Sequence, residues 1–238
     1  MAPADQDERF EEARQLWAGR FQAVISTHSL AEPGYPFASV VPYCLDRDGR
    51  PLLLLSHLAQ HTKNLTADPR CGLSVAQQTQ GDVQQTLRLS CPADAELVDT
   101  ADRASHARWF RYFPASRPYF EQLNFRLYRL RPRRFHYNGG FAAARWLGKE
   151  RLLRESPLDD SGEIRLLGAL EDLPDQLTRL AGRQADPLRL AGVDPWGLDL
   201  AQGACLHRLA LPGPLTTVES LRIAAQAAWS ARGGVWDC

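Results

Sequence analysis

FASVVPYCLDRDGRPLLLLSHLAQHTKNLTADPRCGLSV, the stretch from Phe37 to Val75, decides how this chain is read. Two apolar runs, 37–45 and 51–55, flank Asp48-Gly49, a dipeptide suited to the positive φ angles of a two-residue hairpin. Ser56 follows the second run. A short helical segment then carries His61, Thr62 and Lys63 until Asp68-Pro69 ends it. A strand feeding a helix start that bears hydroxyls and a lysine is suited to an anion, because the first-turn N–H groups are free and the dipole is positive there. The arrangement points to a cofactor with a phosphate tail.

Outward from this segment, Phe21 to Thr27 and Cys71 to Ala76 read as strands. Thr86 to Val98 reads as a long strand in which Pro92 marks an edge or a bulge. Asn124 to Tyr137 alternates Phe125, Leu127 and Leu130 against Arg126, Arg129 and Arg131 and closes the sheet. Phe10, Ala13, Leu16 and Trp17 give an amphipathic helix over 7–19. A second helix, capped by Asp99 or Thr100, runs to Phe113 before Pro114 and carries the aromatic cluster Trp109, Phe110, Tyr112 and Phe113. Six or so antiparallel strands with rim helices imply a small barrel plus helices over 1–150. Glu155 to Gly162 has the composition of a linker. Beyond it, a helix over 166–181, two or three strands between Leu188 and Leu211, and a closing helix with a Thr216/Thr217 cap make 151–238 a small α+β domain. The fold class is α+β throughout.

Composition narrows the function. The chain has 238 residues, a 44% apolar fraction and a formal net charge of zero, which suits a globular protein without a global pull toward nucleic acid. No apolar run reaches the length of a membrane span, and the acidic opening MAPADQDERFEEAR is not expected to be a secretory signal. The five cysteines (Cys44, Cys71, Cys91, Cys205, Cys238) form no CxxC pair, a pattern expected of reduced thiols in a cytoplasmic protein. Structural metal is not expected, and the chain holds no GxGxxG opening a βαβ unit, no P-loop, no GxSxG and no HExxH.

With SVVPYCLDRDGRPLLLLSHLAQHTKNLTADPRCGLSV, FRLYRLRPRRFHYNGGFAAARWL (Phe125–Leu147) and AGVDPWGLDLAQG (Ala191–Gly203), the chain resembles the pyridoxamine-phosphate-oxidase-like split β-barrel superfamily. It resembles most closely the haem-utilisation branch with its appended C-terminal domain. That resemblance implies a homodimer with a cofactor site between two barrels.

In the flavin-binding oxidases of this superfamily, an Arg and a Lys on one strand and a Ser-Arg-Lys run after the next hold the FMN phosphate. The strand cations fall near Ala38 and Tyr43 here, so both charges are missing; Ser56 keeps the hydroxyl, Thr62 replaces an arginine and Lys63 keeps the ammonium. Arg88 lies where the oxidases carry a flavin-facing arginine. The resemblance therefore implies FMN bound by Ser56, Thr62, Lys63 and Arg88, with oxidoreductase chemistry; His61, on the same segment, is a further candidate for contact with cofactor or substrate. Haem is the alternative. In the haem-degrading members a ligand histidine lies either in the GGFxxxHW stretch, where this chain has Arg145, whose guanidinium does not ligate iron, or near the C-terminus, where Ser230 to Cys238 hold no histidine. Arg145 would instead hold an anion, and His136, His61 or Cys238 would have to supply the iron ligand. A barrel without cofactor, acting as a binding or regulatory dimer, is the third reading.

Overall fold

The structure is a computed structural model that describes residues 3–140, 144–180 and 187–232. The chain divides into two compact units, 1–154 and 155–238.

In the first unit, α1 (Pro3–Gly19) precedes β1 (Gln22–His28), β2 (Pro36–Pro42), β3 (Cys44–Leu45) and β4 (Pro51–Ser56). Then follow α2 (Gln60–Ala67), β5 (Arg70–Ala76), β6 (Arg88–Leu97), α3 (Arg103–Tyr112) and α4 (Arg117–Gln122). The unit ends with β7 (Phe125–Pro132), β8 (Arg134–Asn138), β9 (Ala144–Gly148) and α5 (Lys149–Leu152). The nine strands form one antiparallel sheet, ordered β2-β1-β5-β6-β7-β4-β3, with β8 joined to β6 and β9 to β8. This is a split β-barrel with rim helices. Ile25, Leu53, Leu55, Leu73, Leu89, Leu130 and Phe135 fill its inside. Ala13, Leu16 and Trp17, at helical spacing, make the buried stripe of α1. Trp17 meets the Phe135 ring edge-on at 5.0 Å and donates its indole N–H to the Gly49 carbonyl at 3.0 Å.

Several local expectations need correction. The Asp48-Gly49 turn is not a two-residue hairpin. Leu45 pairs with Pro51, so the loop has five residues, and the Asp46 carboxylate organises it by accepting from the Asp48 and Arg50 N–H groups at 2.9 and 2.8 Å. Only Gly49 takes a positive φ, of 79°. The strand before it, β2, pairs along its whole length with β1, and only β3 meets β4 in this hairpin.

Pro92 marks neither an edge nor a bulge. β6 pairs with β5 on one side, and on the other with β8 at Arg88–Ser90 and β7 at Ala93–Leu97. Pro92 sits at that handover. Its carbonyl accepts the Arg133 N–H at 2.9 Å, so the missing N–H faces the gap between two partners and costs no ladder bond. The stretch 124–137 is accordingly two strands, broken at Arg133. Finally, Asp102 rather than Asp99 or Thr100 caps α3, accepting the Ser105 N–H at 3.0 Å.

In the second unit, α6 (Asp160–Ala169), α7 (Leu173–Leu180) and α8 (Val218–Ala231) accompany the sheet β10-β11-β12 (Leu188–Asp194, Gly197–Gln202, Cys205–Ala210). The expected 166–181 helix is two helices, α6 and α7. Leu170, Leu177, Leu198, Leu209 and Leu221 build a separate core, into which Trp229 packs while donating to the Leu177 carbonyl at 2.7 Å. Arg208 bridges Asp194 and Asp199 at 2.8 and 3.0 Å, and lies so close over Gly197 that a Cβ there would meet its guanidinium at 2.8 Å. Cys44, Cys71 and Cys91 are buried thiols; Cys205 is disulfide-bonded, which departs from the reduced thiols that the sequence leads one to expect. Cys238 lies outside the described residues.

Candidate functional site

The β4–α2 segment brings two hydroxyls, an imidazole and a lysine to the first turn of a helix. β4 is buried from Pro51 to Leu55, and Ser56 is the first residue to emerge from it. The Ser56 carbonyl accepts the Ala59 N–H at 3.1 Å, and its hydroxyl oxygen accepts the Leu58 N–H at 3.2 Å. The Ala59 carbonyl then accepts from Thr62 and Lys63, both at 3.1 Å, and no side chain caps the helix. The Gln60 and His61 N–H groups are left over at the first turn.

Thr62 is only 5% exposed, and its Oγ1 is the one buried side-chain polar atom without a hydrogen-bond partner among the described residues. Lys63 is exposed beside it. His61 is half-buried, and burial lowers its imidazole pKa, favouring the neutral form. Four of the sequence-derived site residues, Ser56, His61, Thr62 and Lys63, therefore share one short segment.

Arg88 and Arg145 lie elsewhere, on β6 and β9. Side chains alternate along a strand, and the two fall on opposite faces of the sheet. Arg145 pairs in register with Tyr137, itself opposite the core residue Leu89. Tyr137 donates its hydroxyl to Glu12 of α1 at 3.1 Å, so Arg145 belongs to the side that α1 covers. Arg88 faces outward with Asn138 and Ala144.

That outward face has a recognisable order. Val40, Val24, Ser74, Ser90, His136 and Trp146 form one unbroken row across β2, β1, β5, β6, β8 and β9. At the usual strand spacing the row spans about 24 Å. Val40 is 71% and Trp146 52% exposed. A parallel row of Ala38, Ser26, Gly72 and Pro92 keeps the face flat. At the β9 end, His136 meets the Trp146 ring at 5.0 Å and the Arg134 guanidinium stacks on that ring at 3.9 Å.

The two positions matching the oxidase cations supply no charge. Ala38 is an exposed strand residue. Tyr43 is fully buried, its hydroxyl donating to the Trp17 carbonyl at 2.7 Å.

Sequence reasoning missed Asn64. This residue is fully buried and makes three hydrogen bonds: its amide donates to Thr27 Oγ1 at 2.9 Å, and its Oδ1 accepts from the Leu30 N–H at 3.1 Å and the Gln60 amide at 2.8 Å. The available signal was a polar residue on the inner side of a short helix, three positions before its end. Among the described residues no group of three or more His, Cys, Asp or Glu could hold a metal ion, and no helix is long and apolar enough to cross a membrane.

Comparison with known proteins places this geometry. A curated relative, the "Non-canonical heme oxygenase HOZ, chloroplastic" of Arabidopsis thaliana, is 32% identical over 145 residues, or 61% of this chain; the chain spans under half (44%) of that protein's length. A solved structure of unknown function from Agrobacterium tumefaciens matches at 25% identity with a TM-score of 0.71, covering 92% of this chain and 94% of that one. A haem-binding protein from Mycobacterium smegmatis shares the fold, at 24% identity and a TM-score of 0.56 over 94% of this chain and 97% of that one. The family model for pyridoxamine 5'-phosphate oxidase matches residues 10–139, which hold every strand from β1 to β8 together with α2. The chain belongs to the pyridoxamine 5'-phosphate oxidase family.

Proposed function

We propose that the barrel unit binds FMN with its phosphate at the start of α2 and works as a flavin-linked oxidoreductase. The observation that carries this reading is the unpartnered Thr62 hydroxyl. Leaving a buried hydroxyl unsatisfied costs about 1–3 kcal/mol, a cost that a ligand oxygen admitted here by a small shift of the helix start would remove. Ser56 Oγ, the Gln60 and His61 N–H groups and the Lys63 ammonium supply the rest of a phosphate site. Bound FMN would supply the electron transfer, and the chain's residues hold and orient it. Arg88 adds a cation for a cofactor that reaches the outward face.

Without cations at Ala38 and Tyr43, affinity falls below that of a site carrying both, since each charge-assisted bond contributes about 1.5–3 kcal/mol. Titration of the purified chain with FMN, followed by flavin absorbance and fluorescence, tests the reading. Saturation in the micromolar range supports it; no binding at those concentrations overturns it.

The same reading includes a homodimer. The exposed row from Val40 to Trp146 is a sheet face suited to a second copy, which would bury its apolar members. Sedimentation velocity at micromolar concentration should give a dimer, and a monomer would refute it.

A haem reading is favoured by a different observation. His136 and Trp146 put an imidazole and a flat aromatic surface side by side on that face, flanked by Arg134 and Arg88, and a relative at 32% identity is named a haem oxygenase. Imidazole would ligate iron and arginine would meet propionates. A sharp, shifted Soret band that His136→Ala abolishes would establish it. A chain that binds neither FMN nor haem would be a binding or regulatory dimer.

A further inference from the structure

Among the described residues, the buried side-chain polar atoms on the inner side of α2 are hydrogen-bonded except the Thr62 hydroxyl. The Gln60 amide donates to Asn64, Asn64 donates to the Thr27 hydroxyl, and that hydroxyl donates to the Phe37 carbonyl at 3.3 Å. Asn64 also accepts the Leu30 N–H from the turn after β1. One fully buried amide therefore ties α2 to the end of β1, to the turn that follows it and, through Thr27, to the start of β2.

We infer that Asn64 is a positioning residue for the anion cradle, a role that rests on the phosphate site proposed at the start of α2. The argument is one of saturation. Thr27 Oγ1 is a buried hydroxyl on the strand against which α2 packs. Because Asn64 and Phe37 occupy it on both sides, it is satisfied without Thr62. Thr62, two residues before Asn64, keeps its own hydroxyl unpartnered. Asn64 also draws in the Gln60 side chain, so that the first-turn N–H groups stay clear of a competing amide. Three hydrogen bonds from one rigid, two-torsion side chain fix the height of the first turn over β1. The first-turn N–H groups and the Thr62 hydroxyl are then presented at a set spacing rather than by a frayed helix end.

The test compares FMN and inorganic phosphate binding by the full-length wild type, Asn64→Ala, Thr27→Val and the double variant, at a temperature well below unfolding. Asn64→Ala should weaken FMN binding at least about tenfold. Thr27→Val breaks the network at its far end, removes nothing from the cradle, and should also weaken binding. The double variant should bind no more weakly than Asn64→Ala alone, since both changes cut one chain of bonds. Thr27→Val keeps the test open if Asn64→Ala fails to fold. A purely structural role would lower the melting temperature of the variants but leave their affinity unchanged, and that result would overturn the inference. So would additive losses in the double variant. A wild type that binds neither FMN nor phosphate would overturn the phosphate reading itself, a failure distinct from a wild type that binds with its variants unaffected.

Discussion

Two polar clusters in the barrel unit are built from similar groups and end in opposite states. At the β3–β4 loop, Arg129 of β7 bonds Asp46 at 2.8 Å, Asp102 at 3.1 Å and Ser105 Oγ at 2.6 Å, while Asp46 spends its other oxygen on two backbone N–H groups. At the start of α2, the Thr62 hydroxyl has no partner and Lys63 stands in solvent. The first cluster is closed and joins a loop, a strand and a helix cap. The second leaves a buried hydroxyl unsatisfied beside an exposed lysine. Polar groups spent on each other hold a fold together; polar groups left over cost stability and are available for binding.

Several changes would break or sharpen that contrast. Arg129→Ala should cost about 2–4 kcal/mol, somewhat less than a fully buried pair because Arg129 and Asp102 keep partial contact with water. Urea unfolding would measure it, and FMN affinity should stay unchanged. Lys63→Ala should do the reverse: stability within about 0.5 kcal/mol of wild type, with FMN bound about tenfold more weakly. Thr62→Val deletes the unpartnered hydroxyl at nearly constant shape. It should raise stability by up to about 1 kcal/mol while weakening FMN binding, so melting temperature and affinity move in opposite directions. If Thr62→Val instead destabilises the chain, the unpartnered state of the Thr62 hydroxyl is refuted.

The smallest effect concerns pH. Burial holds the His61 pKa below 6.5, so between the two values the unfolded chain binds more protons than the folded one. Stability should therefore rise with pH up to about 6.5 and level off above it. His61→Gln should flatten that slope when urea midpoints are compared from about pH 5 to 7.5.

The closed cluster also shows why part of the fold could not be read from sequence. Asp48-Gly49 carries a genuine turn signal, and Gly49 does take the positive φ it permits. What lengthens the turn is the Asp46 carboxylate, held by an arginine 83 residues away. A local dipeptide contains no trace of that. Pro92 was legible as an interruption, but its meaning depends on which strands lie on either side of β6. Strand alternation and helix spacing, by contrast, are local properties. They revealed the α1 stripe and the strand-to-helix junction of β4 and α2 directly. Within the site, Ser56, Thr62 and Lys63 were legible because they adjoin one another on one segment. Asn64 was not, because its partners Thr27 and Leu30 lie 37 and 34 residues away. Arg88 and Arg145 looked alike as isolated cations. Only the β6–β8–β9 register shows that they face opposite sides.

The antiparallel pairing of β4 with β7 has a consequence for how the chain is made. Leu52 to Ser56 pair with Arg129 to Phe125, and β6 gains its second and third partners only with β7 and β8. During synthesis the leucine run of β4 thus leaves the ribosome long before the strand that shields it exists. Through that interval it is a hydrophobic segment with an open edge, the type of sequence most prone to intermolecular association. Translation rate between Ser56 and Asn138, together with chaperone supply, should therefore govern soluble yield more strongly than the stability of the finished barrel.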